Sequence, residues 1–288
     1  MEFQDQVKEF HPFRTLLPLC PMFAALVAAI LLWGVETVRL PAQSAMKLTF
    51  QTVETEAPPQ LLVTLEQLER MAYTDSVLGE MYWSVSAESV EELNRVLREY
   101  DITTVEEISQ FLAQAAVETS GGLWLTERGD EQYFQRYGYT TGTRGAGFFH
   151  LTFEYGQMAF STWMMKKYIQ ELENVVYRNP NKASKAEISD AYYRTLWTAA
   201  NLGVDVSRYS RIVYDPQSSG VTGADYIAQT FAWESAAYYW LIAGVKEAIA
   251  GRVGLENTDI ASKLVGGSHW QSRREAYEAF YPVLNEQS

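Results

Sequence analysis

The stretch TVEEISQFLAQAAVETSGG, residues 104–122, decides the fold. A threonine at 103 or 104, followed three residues later by a glutamate, forms a capping box that opens a helix. Ile108, Phe111, Leu112 and Ala115 then recur at helical spacing. Gly121 offers the left-handed backbone that ends a helix. Glu118 falls seven residues past Phe111 and three past Ala115, on the stripe expected to be buried. A carboxyl there is unusual, because surface placement costs less. Desolvation and the negative end of the helix dipole would both favour its protonated form, which a general acid requires. The plainer alternatives are a glutamate facing water at a frayed helix end, or one paired with an arginine.

On either side the same helical grammar repeats. Thr64 with Gln67 is a second capping box, and Ser89 with Glu92 a third, each followed by apolar residues at helical spacing. Residues 224–248, rich in Ala, Trp and Tyr, predict one long helix. Strand-like alternation is scarce, with residues 147–152 the exception. The expected fold is mainly α with at most a small β-hairpin, over one domain at 61–288.

A second carboxylate is needed if the chemistry is glycoside hydrolysis, at about 6.5–9.5 Å for an inverting mechanism. Glu127 lies nine residues beyond Glu118, and Asp130 and Glu131 are further candidates. The glycine-rich run 138–147 (Gly138, Gly142, Gly145, Gly147) lacks the spacing of a nucleotide-binding loop and reads as a turn entering a short strand. Aromatics surround it: Tyr133, Phe134, Tyr137, Tyr139, Phe148, Phe149 and Tyr155. They could stack on sugar faces, but core filling is the simpler role for most.

Residues 15–35 form an uncharged run of 21 between Arg14 and Glu36, long enough for a membrane-spanning helix. Residues 1–14 precede it as a tail. Residues 36–60 read as a tether, with Pro41, Pro58, Pro59 and no apolar period. Ala42-Gln43-Ser44 offers a cleavage site, though far from the run. Cys20 does not fit a lipoprotein site. The expectation is an anchor with the body outside the cytoplasm, or a secreted body if the run is cleaved.

Acidic residues outnumber basic ones by 36 to 23, a net charge of −13 with no basic patch, which argues against nucleic-acid binding. One cysteine and three scattered histidines (His11, His150, His269) argue against a disulfide framework or a metal centre. No cofactor is expected.

Residues 90–122 resemble the start of the catalytic domain of glycoside hydrolase family 19. Its hallmark is a helix ending in His-Glu-Thr/Ser-(Gly)-Gly, matched here by Val117, Glu118, Thr119, Ser120, Gly121 and Gly122. Residues 144–152 (RGAGFFHLT) resemble the family's Arg-Gly-Arg-Gly-Tyr/Pro-Ile-Gln-Leu-Thr/Ser segment. Residues 260–267 (IASKLVGG) resemble its Val-Thr-x-x-Ile-Asn-Gly-Gly, followed by Arg273 or Arg274 with Tyr277. The helix containing Trp233 and Trp240 is similar to the aromatic helix before it.

The resemblance spans about residues 61–285. It implies a lysozyme-like fold in a chitinase or endolysin acting on β-1,4-linked N-acetylhexosamine glycans, with peptidoglycan preferred because an anchor places the site beside the wall. It also implies Glu118 as general acid, Glu127 as base and Thr152 orienting the attacking water. Arg144, His150, Tyr155 and Gly266 would contact substrate, with Arg144 holding Glu127 or the loop. Departures bear on activity: Val117 replaces the histidine before the acid, Ala146 an arginine, His150 a glutamine, and Gly156 and Val265 asparagines. The competing reading is therefore a catalytically weak or inactive envelope protein that grips glycan or serves as a scaffold.

Overall fold

Thr64 opens the first helix as expected. Its hydroxyl accepts from the Gln67 N–H at 3.1 Å while Gln67 Oε1 accepts from the Thr64 N–H at 2.8 Å. The computed structural model describes residues 62–286, all within one compact unit. The apolar run 15–35 and the tether 36–60 lie outside the described residues. Among those described, no helix is long and apolar enough to cross a membrane.

Helix α1 (Leu65–Arg70) leads into an antiparallel hairpin, β1 (Tyr73–Asp75) and β2 (Gly79–Met81), with Thr74 opposite Glu80. Three residues per strand are too few for alternation to register in the sequence. The strand expected at 147–152 is not there. Ala146 makes single bridges to Thr126 and Leu151, and the chain then turns through Gly147 and His150, both at positive φ.

Helix α2 (Ala87–Glu99) starts one turn before the predicted cap. Ser86, not Ser89, accepts the capping bond, and Ser89 supplies the N–H at 3.3 Å. Helix α3 (Val105–Thr119) is capped by Thr104 with Glu107 in the expected box. Left-handed geometry begins at Ser120 (φ 50°) and continues through the predicted Gly121 (φ 68°). Next come α4 (Glu131–Arg136), α5 (Glu154–Tyr168), α6 (Lys185–Leu202) and α7 (Ser207–Ser210). The single helix predicted over 224–248 is three: α8 (Ala224–Thr230), α9 (Ala232–Ala243) and α10 (Val245–Ile249). Phe231 leaves helical geometry, and Gly244 turns left-handed at φ 69°. Helices α11 (Leu255–Val265) and α12 (Trp270–Asn285) complete a mainly helical body.

Helix α3 is the axis. Helices α12 and α11 pack against it, and α9 packs on α2. Phe148 stacks on Trp233 with ring centroids 3.4 Å apart, and Phe111 meets Phe149, Trp233 and Trp240. A second, smaller cluster joins α5 to α6 through Met158, Met165, Leu172, Tyr192, Ala199 and Val213. The C-terminal end of α5 is moored to the rest by charge. Glu234 of α9, only 2% exposed, accepts from Arg95 at 2.7 Å, Lys167 at 3.0 Å and Tyr168. Burying a carboxylate this deeply requires such partners.

Candidate active site

Helix α3 is not the one-sided stripe that the sequence suggests; it is buried nearly all round. Within residues 108–119 every residue is buried but Glu118, which stays 23% exposed. The exposure comes from a cavity of about 660 Å³ against the end of the helix. Glu118, Glu127, His150, Thr152, Tyr155 and Gly266 all line it, as do Tyr139, Phe149, Tyr239 and residues 180–188 in part. Six of the seven site residues expected from sequence are therefore brought to one hollow.

The surroundings of Glu118 differ from the apolar pocket expected. Its Oε1 accepts from Arg273, whose side chain is 1% exposed. Arg273 is held in turn by Gln114 Oε1 at 2.5 Å and the Ser268 carbonyl at 2.9 Å. Gly267 makes this possible: a Cβ there would lie 2.1 Å from the guanidinium. The paired alternative is the one realised, so the carboxyl is ordered by a cation and not only by greasy neighbours. Of the two candidate arginines, Arg274 turns away to Asp259, and Tyr277 bonds Glu106.

The other oxygen of Glu118, Oε2, is left toward His150, whose Nδ1 is 3.8 Å away, beyond hydrogen-bond reach. His150 Nε2 lies 3.1 Å from the Trp124 carbonyl, which can only accept. In the neutral ring the hydrogen therefore sits on Nε2, and the Nδ1 lone pair faces Glu118. With Oε1 occupied by Arg273, Oε2 is the atom from which Glu118 can exchange a proton with the cavity.

Glu127 is bound differently. Tyr139 donates to Oε1 at 2.7 Å and Tyr133 at 3.3 Å, while the Gly145 N–H donates to Oε2 at 3.2 Å. All three are donors, the complement of an acceptor-only carboxylate. Burial and the hydrogen bond to Glu127 push the Tyr139 phenol well above its usual range, so it remains a donor. Gly145 lets these groups close up, since a Cβ there would meet His150 Cβ at 2.8 Å. Thr152 Oγ1 donates to the His150 carbonyl at 2.6 Å, leaving its lone pairs to accept a hydrogen bond from water.

The remaining candidates are used locally. Asp130 caps α4 through the Tyr133 N–H at 2.8 Å, and Glu131 accepts from the Thr141 N–H at 3.1 Å; neither lines the cavity. Arg144 does not reach Glu127. It binds Asp225 at 2.5 Å and the Thr141 carbonyl, fixing the loop from behind, and is absent from the lining. Gly266 ends α11 in left-handed geometry beside Val265 at the cavity. Among the described residues no group of three or more His, Cys, Asp or Glu is placed to hold a metal ion.

Three contributors were not legible as site residues. Tyr139 read as an aromatic in a glycine-rich run, and nothing nearby marked its hydroxyl as a donor to Glu127. In the sequence Arg273 is only one of two arginines, with Arg274, that the resemblance pairs with Tyr277, and nothing joins it to Glu118. Lys185 follows a clear cap signal, Ser184 with Glu187, but no motif ties it to the site. No protein-family model, no curated protein and no solved structure matches this chain.

Proposed function

We propose that the described body is a lysozyme-like glycan hydrolase, anchored by residues 15–35 outside the cytoplasm and acting on β-1,4-linked N-acetylhexosamine polymers, peptidoglycan before chitin. One observation carries the reading. Glu118 and Glu127 line one cavity in contrasting settings, one oxygen of Glu118 open toward that cavity and Glu127 surrounded by donors. An inverting glycosidase needs one carboxyl to give a proton and a second to take one from water, and this pair supplies candidates for both.

Glu118 protonates the leaving glycosidic oxygen from Oε2, while Arg273 fixes Oε1 and so the direction of that proton. Glu127 takes a proton from a water on the opposite face of the ring. Thr152 Oγ1 accepts the water's other hydrogen and aims its lone pair at the anomeric carbon. Tyr155 and Tyr239 supply faces for the sugar rings. No cofactor enters.

The test is release of muropeptides or chito-oligosaccharides by the full chain in detergent, against Glu118→Gln. A general acid contributes about 10²–10⁴-fold, so a loss of that size is expected, with inverted anomeric configuration in the first product. Glu127→Gln should lose a comparable factor; unchanged turnover would remove the base assignment. The alternative of a non-catalytic glycan-gripping protein is favoured by one observation: Val265, where the family motif has an asparagine, lines the cavity. Equal, negligible release from wild type and Glu118→Gln would select it. Protease accessibility of the body in intact spheroplasts tests the location.

A further inference from the structure

The α5–α6 side of the cavity carries a charge that an uncharged sugar does not need. Lys185, the first residue of α6, lines the same hollow as Glu118 and Glu127. It is the only lysine or arginine in the lining among the described residues. Its ammonium lies 5.2 Å from the centre of the Tyr155 ring, and among the described residues it has no carboxylate partner. The negative face of the phenol holds the ammonium toward the cavity without neutralising it. Of the arginines nearby, Arg273 is committed to Glu118, Arg144 to Asp225 and Arg178 to Glu187.

The surroundings make an unpaired cation consequential. The chain carries a net charge of −13, and the acids in the lining are Glu118 and Glu127. A neutral polymer such as chitin is indifferent to that field. A strand bearing carboxylates is repelled by it and needs a positive group to be seated. We propose that Lys185, braced on Tyr155, binds a carboxylate on the lactyl–peptide arm of a muramic-acid-containing glycan, and so selects peptidoglycan over chitin. This rests on the glycan-hydrolase reading above and names its substrate class.

The test is equilibrium binding to the full chain carrying Glu118→Gln, so that ligands are not turned over. The ligands are a muramyl tetrasaccharide with stem peptides, the same molecule with its carboxyls amidated, and the N-acetylglucosamine tetramer. A charge-assisted bond of this kind predicts about tenfold tighter binding of the free-acid ligand than of its amidated form. Rising salt should erode the preference. Adding Lys185→Gln should bring the two within about twofold of each other, and Lys185→Arg should keep most of the difference. A preference that survives Lys185→Gln overturns the assignment. So does equal binding of all three ligands, which leaves the glycan reading standing. Binding of none of them removes the glycan reading, and this inference with it.

Discussion

Glu118 and Glu127 stand on a side of the cavity where each is held by side-chain or backbone donors, whereas Lys185, on the α5–α6 side, meets only a ring face. The first side grows from the main core. The end of α3 is locked by Arg273, and the loop behind Glu127 is pinned by Tyr139, Gly145 and the Phe148–Trp233 stack. The second grows from a smaller apolar cluster and is fastened to the core by the charges around Glu234. Groups that must hold a reacting atom to within a fraction of an ångström need a rigid shell. A group that meets a flexible peptide arm does not.

The strongest way to break this contrast is to remove the clamp. Arg273→Ala leaves Glu118 and Gln114 without their cation in a buried setting, and should cost about 3 kcal/mol in urea denaturation. Gly267→Ala should reproduce part of that loss, because its Cβ would occupy the space of the guanidinium. Lys185→Gln, by contrast, should stay within about 0.5 kcal/mol of wild type, as exposed substitutions usually do. Equal destabilisation by Arg273→Ala and Lys185→Gln would show that the two sides are not built differently.

Acid should loosen the second side. Burial pushes the Glu99 carboxyl up, but hydrogen bonds from Lys167, Arg95 and Tyr168 outweigh it and bring it down to about 2. A carboxyl lowered in the folded state adds stability that is complete above its unfolded value, near 4.5, and is lost as pH falls toward 2. Wild type should therefore melt higher than Glu99→Gln at pH 6. The gap, at most about 1 kcal/mol for a pair this exposed, should close between pH 4.5 and 2. A gap that is constant over that range would mean that Glu99 does not help to moor α5.

The same contrast explains what could be read from the sequence. The helix bearing Glu118, its Thr104 cap and the nine-residue step to Glu127 were legible, because cap chemistry and apolar spacing are local. So was the gathering of His150, Thr152 and Gly266, through the order of their motifs. The burial of α3 on all sides was not, since Gln110, Gln114 and Ser109 look like an outer face until α11 and α12 cover them. Nor was the Arg273 clamp, which joins residues 155 apart in sequence. The strand expected at 147–152 failed because a short apolar run does not separate a strand from a turn: residues 147–149 and Leu151 are buried, yet the chain turns at Gly147 and His150. Lys185 was silent for a simpler reason: a lysine at a helix start is ordinary, and only the cavity beside it makes it informative.

The smallest effect tests the finest feature of the stiff side. Tyr139→Phe removes the 2.7 Å donor to Glu127 Oε1 and leaves Tyr133, at 3.3 Å, on the same oxygen. The ring stays in place, 9% exposed and packed edge-on against Phe153, so the fold should lose only about 1 kcal/mol. If Glu127 activates water, a carboxylate freed to rotate should lower kcat about five- to tenfold and leave KM nearly unchanged, because the interaction matters most at the transition state. Tyr133→Phe, which removes the longer bond from a more exposed ring, should cost less than half as much on a logarithmic scale. A reversed order, with Tyr133 the more important, would move the orienting role to α4. No effect from either would mean that Glu127 is held by the Gly145 N–H alone, and that the density of donors around it reflects packing and not catalysis.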